Sequence, residues 1–263
     1  MRSIPTVECN EMSSANPYEP TTEVIADDFG IRKVSVQPIQ LIKRGYRMLA
    51  DQYWMFLGIT FVGLIVGSAV PFGIILGPML VGIYLCYVQR EQGQHVEFGT
   101  LFRGFDYFVE SFLAFLILFV VSLTVMIPFM IAFFVIVFLP MIAAANAPNA
   151  PPPQLPASIF IWYPLMIIAN VAITLPFLFT FQLIADRKLK AIPAVKLSAR
   201  GVIKNLGGIL WFMFFFMIIS IILTMMCYFP VFLFMPISFA SLFILYRDIF
   251  GPAVHDAQLV NGG

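Results

Sequence analysis

The chain has 263 residues, 60% hydrophobic and only 11% charged, with 29 Phe and a formal net charge of +1. Soluble domains carry about 25% charged residues, and no Asp, Glu, Lys or Arg occurs between Glu110 and Asp186. These figures exclude a water-soluble globular fold and lead us to expect an all-α integral membrane protein with no nucleic-acid partner.

Residues 1–35 come first. They are rich in Pro, Ser, Thr, Asn and acids, and they lack the apolar stretch of a signal peptide. We read them as a disordered cytoplasmic segment. Cys9 lies here without the signal sequence that lipidation at a lipobox requires. Cys86 and Cys227 sit in apolar runs and suggest neither a metal site nor a disulfide.

Six membrane-spanning helices are expected within residues 36–252. The first is 53–70, and "PFG" reverses the chain into the second, 73–88. A charged stretch from Arg90 to Glu110 follows. Residues 111–142 would extend ~48 Å as one upright helix. They are read as a helix kinked at Pro128 and projecting beyond the bilayer, or as including a re-entrant segment. "AAANAPNAPPPQLPAS" is an uncharged loop. The fourth span is 159–185, with Pro164 and Pro176. The last hairpin is 209–227 and 231–245, joined at "YFP", and 253–263 form a short cytoplasmic tail.

This count has a consequence for charge. With six spans and the N-terminus inside, all fifteen Lys and Arg and all fourteen acids lie on the same side. The positive-inside rule makes that side the cytoplasm of a bacterial inner membrane, with both termini on it. A seventh span, made by splitting 111–142, would place Arg187, Lys188, Lys190, Lys196, Arg200 and Lys204 outside.

Three charged segments share a design. "PIQLIKRGYRMLADQYWMFLG", "FGTLFRGFDYFVESFLAFLI" and "PAVKLSARGVIKNLGGILWFM" each contain Arg-Gly, at 44–45, 103–104 and 200–201, and each runs into a span. Helical spacing puts Ile39, Ile42, Tyr46, Leu49 and Tyr53 opposite Lys43, Arg44, Arg47 and Asp51. It puts Leu101, Phe105 and Phe108 opposite Arg103, Asp106 and Glu110. We therefore expect three interfacial amphipathic helices, each followed by a hairpin, as a three-fold repeat. In the third, Lys196, Arg200 and Lys204 form a basic ridge, with Val195, Ala199 and Val202 turned toward the acyl chains. The ridge, with Lys43, Arg44 and Arg47, supplies the candidates for anionic lipid headgroups.

Other polar signals read as structural. Asp186 beside Arg187 and Arg247 beside Asp248 suggest crossed ion pairs, Asp186 to Arg247 and Asp248 to Arg187. Asn170 is the conspicuous amide inside a span, an interhelical hydrogen bond or a polar point in a substrate path. "GLIVG" at 63–67 and "GIILG" at 73–77 allow close helix approach, within the first hairpin or between two copies.

"FRGF" at 102–105, "IADRK" at 184–188, "AVKLS" at 194–198 and "YRDIFG" at 246–251 resemble uncharacterised bacterial multi-pass proteins. Those are related to the membrane domain of glycerophosphodiester phosphodiesterases. The resemblance covers residues 36–252 and implies an all-helical membrane domain without the metal-binding catalytic barrel.

No Walker motif, H-E-x-x-H or G-x-S-x-G is present, and His95 and His255 lie in polar segments away from any partner in sequence. An enzyme, a metal and a cofactor are therefore not expected. The expected role is an accessory or scaffold protein that engages anionic lipid or a membrane partner, a second copy included. The alternative is a permease for a small or lipidic substrate.

Overall fold

Proline and glycine divide the chain into ten α-helices among the described residues, which are 30–146, 159–226 and 229–252 of the computed structural model. Pro38 opens α1 (Pro38–Leu49), at a position where its missing N–H has no helical partner to lose. A short turn leads into α2 (Tyr53–Ala69). Pro71 and Gly73, the latter with φ of 64°, reverse the chain into α3 (Leu76–Glu91).

A 3-10 segment, Phe98–Tyr107, precedes α4 (Phe108–Phe133), which passes through a π-helical stretch, Phe134–Phe138, into α5 (Leu139–Ala145). Next, α6 (Ile159–Thr174) is broken from α7 (Thr180–Arg187) by a turn around Pro176. Lys188, in the left-handed region, ends α7. The chain closes with α8 (Ala191–Lys204), α9 (Leu206–Met225) and α10 (Phe229–Phe250).

Five helical stretches are long and apolar enough to cross a membrane: Pro38–Ala69, Phe98–Ala143, Ile159–Arg187, Leu206–Met225 and Phe229–Phe250. The remaining expected span corresponds to α3, whose 16 residues make a rod of about 24 Å. Residues 111–142 hold no reversal, because helix is continuous from Phe108 to Ala145 and runs through Pro128.

The core is built around α3. Met79, Val81, Ile83, Cys86 and Tyr87 are fully buried, and α2, α4, α7 and the 3-10 segment all pack against this helix. Glycine permits the tightest of these approaches. A Cβ on Gly82 would sit 1.9 Å from the Leu101 carbonyl oxygen. One on Gly104 would sit 2.1 Å from that of Pro78, and one on Gly77 would sit 2.6 Å from that of Ser111. Gly63 and Gly67 of "GLIVG" face Ile83 and Leu76 of α3, so that motif packs the first hairpin.

Two tyrosines tie this core to α10. Pro236 lies inside that helix. Tyr87 Oη donates to the Pro236 carbonyl at 2.9 Å, and Tyr53 Oη donates to that of Leu233.

The other elements follow a pattern. The hairpin partners are α2 with α3, α4 with α6 and α7, and α9 with α10. Of the amphipathic segments, α1 lies on α10, the 3-10 segment on α3, and α8 on α7 and the turn before it. Two expectations are corrected. Residues 30–35 are not disordered but form an extended strap bonded to the bundle, with Arg32 N donating to Ile249 O at 2.9 Å. The second amphipathic segment is not an α-helix. Its period of three buries Leu101 with Gly104 and leaves Phe102 and Phe105 exposed, so Leu101 and Phe105 do not share a face. The first residues of the expected uncharged loop, up to Ala145, belong to α5; residues 147–158, Cys9, Cys227 and the C-terminal tail fall outside the described residues.

These glycine contacts meet backbone, which cannot swing aside. Gly104→Ala and Gly82→Ala should therefore each lower thermal stability in detergent, by about 1–3 kcal/mol or more. Gly99→Ala, where an added Cβ meets nothing within 4 Å, should leave it nearly unchanged. Equal melting temperatures for all three would contradict this packing.

Candidate functional site

The charged segments gather at one end of the bundle. There the acid–arginine doublets Arg90–Glu91, Asp186–Arg187 and Arg247–Asp248 close α3, α7 and α10. Arg247 lies against Asp186 in a two-pronged pair, Nη1 to Oδ2 and Nη2 to Oδ1, both 2.8 Å. The two side chains are only 8% and 1% exposed. Tyr246 Oη donates to Asp186 Oδ2 at 2.6 Å, and Arg247 Nε donates to Glu91 Oε2 at 2.6 Å. The Arg247 guanidinium also stacks over Phe243, 5.2 Å from the ring centroid. Burial of a carboxylate and a guanidinium is costly, and it is offset here by fork geometry and by additional donors and acceptors. The arrangement joins three helix ends through one arginine.

The second crossed pairing is corrected. Both Asp248 oxygens accept from Arg44, at 2.7 and 3.0 Å. The cause is the crossing of α1 over α10, where Gly45 meets Ala240 and Ser241 and sets Arg44 above Asp248. Arg187 turns inward and donates to the Phe250 and Gly251 carbonyls at 2.5 and 3.4 Å. It thereby caps the C-terminus of α10. Arg44 thus joins the ion-pair set, with its side chain still 51% exposed.

The remaining headgroup candidates, Lys43, Arg47, Lys196, Arg200 and Lys204, are exposed. Their helices have three faces rather than two. On α8, Ala191, Ala194, Leu197, Ser198, Gly201 and Val202 are buried in the protein. Ile192 and Ile203 are exposed, the latter at 72%, and the cations occupy the third face. The expectation that Val195, Ala199 and Val202 face acyl chains is corrected. Val202 is buried and the other two are half-buried, because the protein itself takes that side of the helix. On α1, Leu41, Gly45 and Leu49 are buried, while Ile39 and Tyr46 are exposed beside Lys43 and Arg47. Leu49 therefore does not share the face of Ile39 and Tyr46.

Asn170 lies on the exposed side of α6, which has no buried residue.

Several site residues escaped the sequence reading. Glu91 carried a signal, since it repeats the acid–arginine doublet of the other two helix ends. Glu110 Oε2 accepts the Ala191 N–H at 2.8 Å and caps α8, and Ser198 Oγ accepts the Phe179 N–H at 3.1 Å. Gln182, one turn before Asp186, is fully buried, beside the Tyr84 hydroxyl. Asn205 holds the strap, donating from Nδ2 to Arg32 O at 3.0 Å and accepting at Oδ1 from Val34 N at 2.9 Å. His95 is not free of contacts. Its Nε2 is 2.9 Å from Gln52 Nε2. Gln52 accepts the Val96 N–H and donates to the Val96 carbonyl, so the His95 nitrogen is the acceptor.

Among the described residues, no three His, Cys, Asp or Glu side chains stand close enough to hold a metal ion. The fold and this site define an all-helical chain of the membrane-embedded class, whose charged end is an ion-paired clamp. No family model, curated protein or solved structure matches it.

The clamp makes a quantitative claim. Removing one partner of a buried pair typically costs about 3–5 kcal/mol. Asp186→Ala and Arg247→Ala should each approach that loss in detergent unfolding, and the double variant should lose clearly less than their sum. Arg44→Ala, from a half-exposed pair, should cost about 0–1 kcal/mol. Additive losses at Asp186 and Arg247 would show the two to be uncoupled.

Proposed function

We propose that this chain is a non-enzymatic accessory or scaffold protein of the bacterial inner membrane, with six spans and both termini cytoplasmic. In this reading its charged end rests on the anionic leaflet. The three-faced design of α1 and α8 carries the proposal. One face is taken by protein, one is apolar and uncovered, and the third is cationic. The boundary between acyl chains and headgroups satisfies the last two faces together. Trp54 and Trp211, both exposed within the first two turns of α2 and α9, suit the same boundary. Each cation near the surface adds roughly 1 kcal/mol. Tight glycine packing at the centre favours a scaffold over a substrate path.

The three-fold repeat belongs to this proposal, and the packing order supports it. Each amphipathic segment lies on the second helix of the preceding hairpin, with α1 returning to the last. The Arg-Gly glycines sit at close contacts in all three: Gly45 at Ala240, Gly104 at Gly82 and Gly201 at Phe250. The four motifs that resemble the phosphodiesterase-associated membrane proteins fall on these seams, which supports a shared architecture with them.

The lipid reading is tested on the whole protein. Released from nanodiscs of phosphatidylglycerol and phosphatidylcholine, it should retain phosphatidylglycerol selectively in native mass spectrometry. The combined change of Lys43, Arg47, Lys196, Arg200 and Lys204 to Gln should abolish most of that selectivity. Equal retention of both lipids by the unaltered protein would remove the proposal.

Sidedness is tested separately, with native cysteines replaced. Asn149→Cys should react with an impermeant maleimide in intact cells, and Gln92→Cys only after permeabilisation. Reaction of both in intact cells would end the six-span arrangement.

A further inference from the structure

The strap ends against the basic ridge. Asn205 reads its backbone at two residues, as a neighbouring strand would, and is itself buried. Val36 lies over Gly208, where an added Cβ would come within 2.5 Å of it. Lys204 Nζ donates to the Ile31 carbonyl. The chain ahead of residue 30 therefore starts beside the ridge, anchored one turn from Arg200 and two from Lys196. That chain is acidic. Residues 1–29 hold Glu8, Glu11, Glu19, Glu23, Asp27 and Asp28 against the single cation Arg2. Asp28 is three residues from Ile31, so about 10 Å of chain joins it to the Lys204 contact. Lys196 and Lys204 are eight residues apart on α8, about 12 Å. By chain length alone, Asp27 and Asp28 are within reach of the near end of the ridge and Glu23 within reach of the far end.

We infer that the acidic segment Glu19 to Asp28 docks on Lys196, Arg200 and Lys204 and competes there with anionic headgroups. The inference rests on the lipid reading for its second half only. The strap fixes the local concentration of the segment, so weak surface charge pairs become effectively intramolecular. Charge matches charge: carboxylates occupy the positions that lipid phosphates would take. Linkage then requires reciprocity, with a membrane rich in anionic lipid displacing the segment and the docked segment weakening headgroup binding by the same factor.

Carbodiimide, which joins a carboxylate to an amine only in direct contact, tests the docking in neutral detergent without lipid. Mass spectrometry should find Asp27, Asp28 or Glu23 linked to Lys204 or Lys196, and Asn205→Ala, which frees the strap, should reduce those links several-fold. Absence of any link from residues 19–28 to the ridge overturns the docking, whatever lipids do. The competition is read in nanodiscs. Phosphatidylglycerol should suppress the links and phosphatidylcholine should not. Changing Glu19, Glu23, Asp27 and Asp28 to their amides should tighten phosphatidylglycerol retention about fivefold. Links that persist unchanged in phosphatidylglycerol overturn the competition. Suppression by free inorganic phosphate in detergent, at matched ionic strength, would assign the ridge to soluble anions and overturn the membrane half.

Discussion

The arrangement depends on a single guanidinium. Arg247 takes Asp186 from one helix and Glu91 from another while lying over the ring of Phe243 on its own. An apolar bundle has little to fix the rotation of one helix against another, because most greasy surfaces fit one another about equally well. A buried, forked charge pair is different, since a rotation of a few tens of degrees breaks it and leaves an unpaired ion. The clamp thus sets the angular register of α3, α7 and α10, and the aromatic contacts around Tyr246, Phe179 and Phe250 fill in behind it.

Class and helix positions were legible because they follow from local composition. The Asp186–Arg247 contact was legible too, since two doublets at the ends of long apolar runs have few other places to go. The partner of Asp248 was not. It depends on the angle at which α1 crosses α10, set by a glycine and a serine 196 positions apart, and no local pattern encodes a crossing angle. The faces of α8 misled for a related reason. A two-class reading of polar and apolar residues cannot separate apolar surface meant for lipid from apolar surface meant for protein. Small residues are the usable distinction: Ala191, Ala194, Ser198 and Gly201 mark the protein side, and the large Ile192 and Ile203 mark the uncovered one. Asn205 was invisible because its partners are backbone atoms of a strap that composition alone assigns to disorder.

Position relative to the core also explains the residues that drew attention and proved peripheral. Asn170 is prominent in an apolar run, yet α6 sits at the edge of the bundle and buries nothing. Gln182, which attracts no notice beside charged neighbours, is fully buried, beside the Tyr84 hydroxyl.

The hydroxyl of Tyr87 has a bearing on how the protein is made. Its acceptor belongs to Pro236, in the last helix of the bundle, while Tyr87 itself is in the third. During synthesis α3 therefore waits, with a polar group unsatisfied and a buried face uncovered, through some 150 further residues. The packing of the third helix is thus completed only once the last has been made.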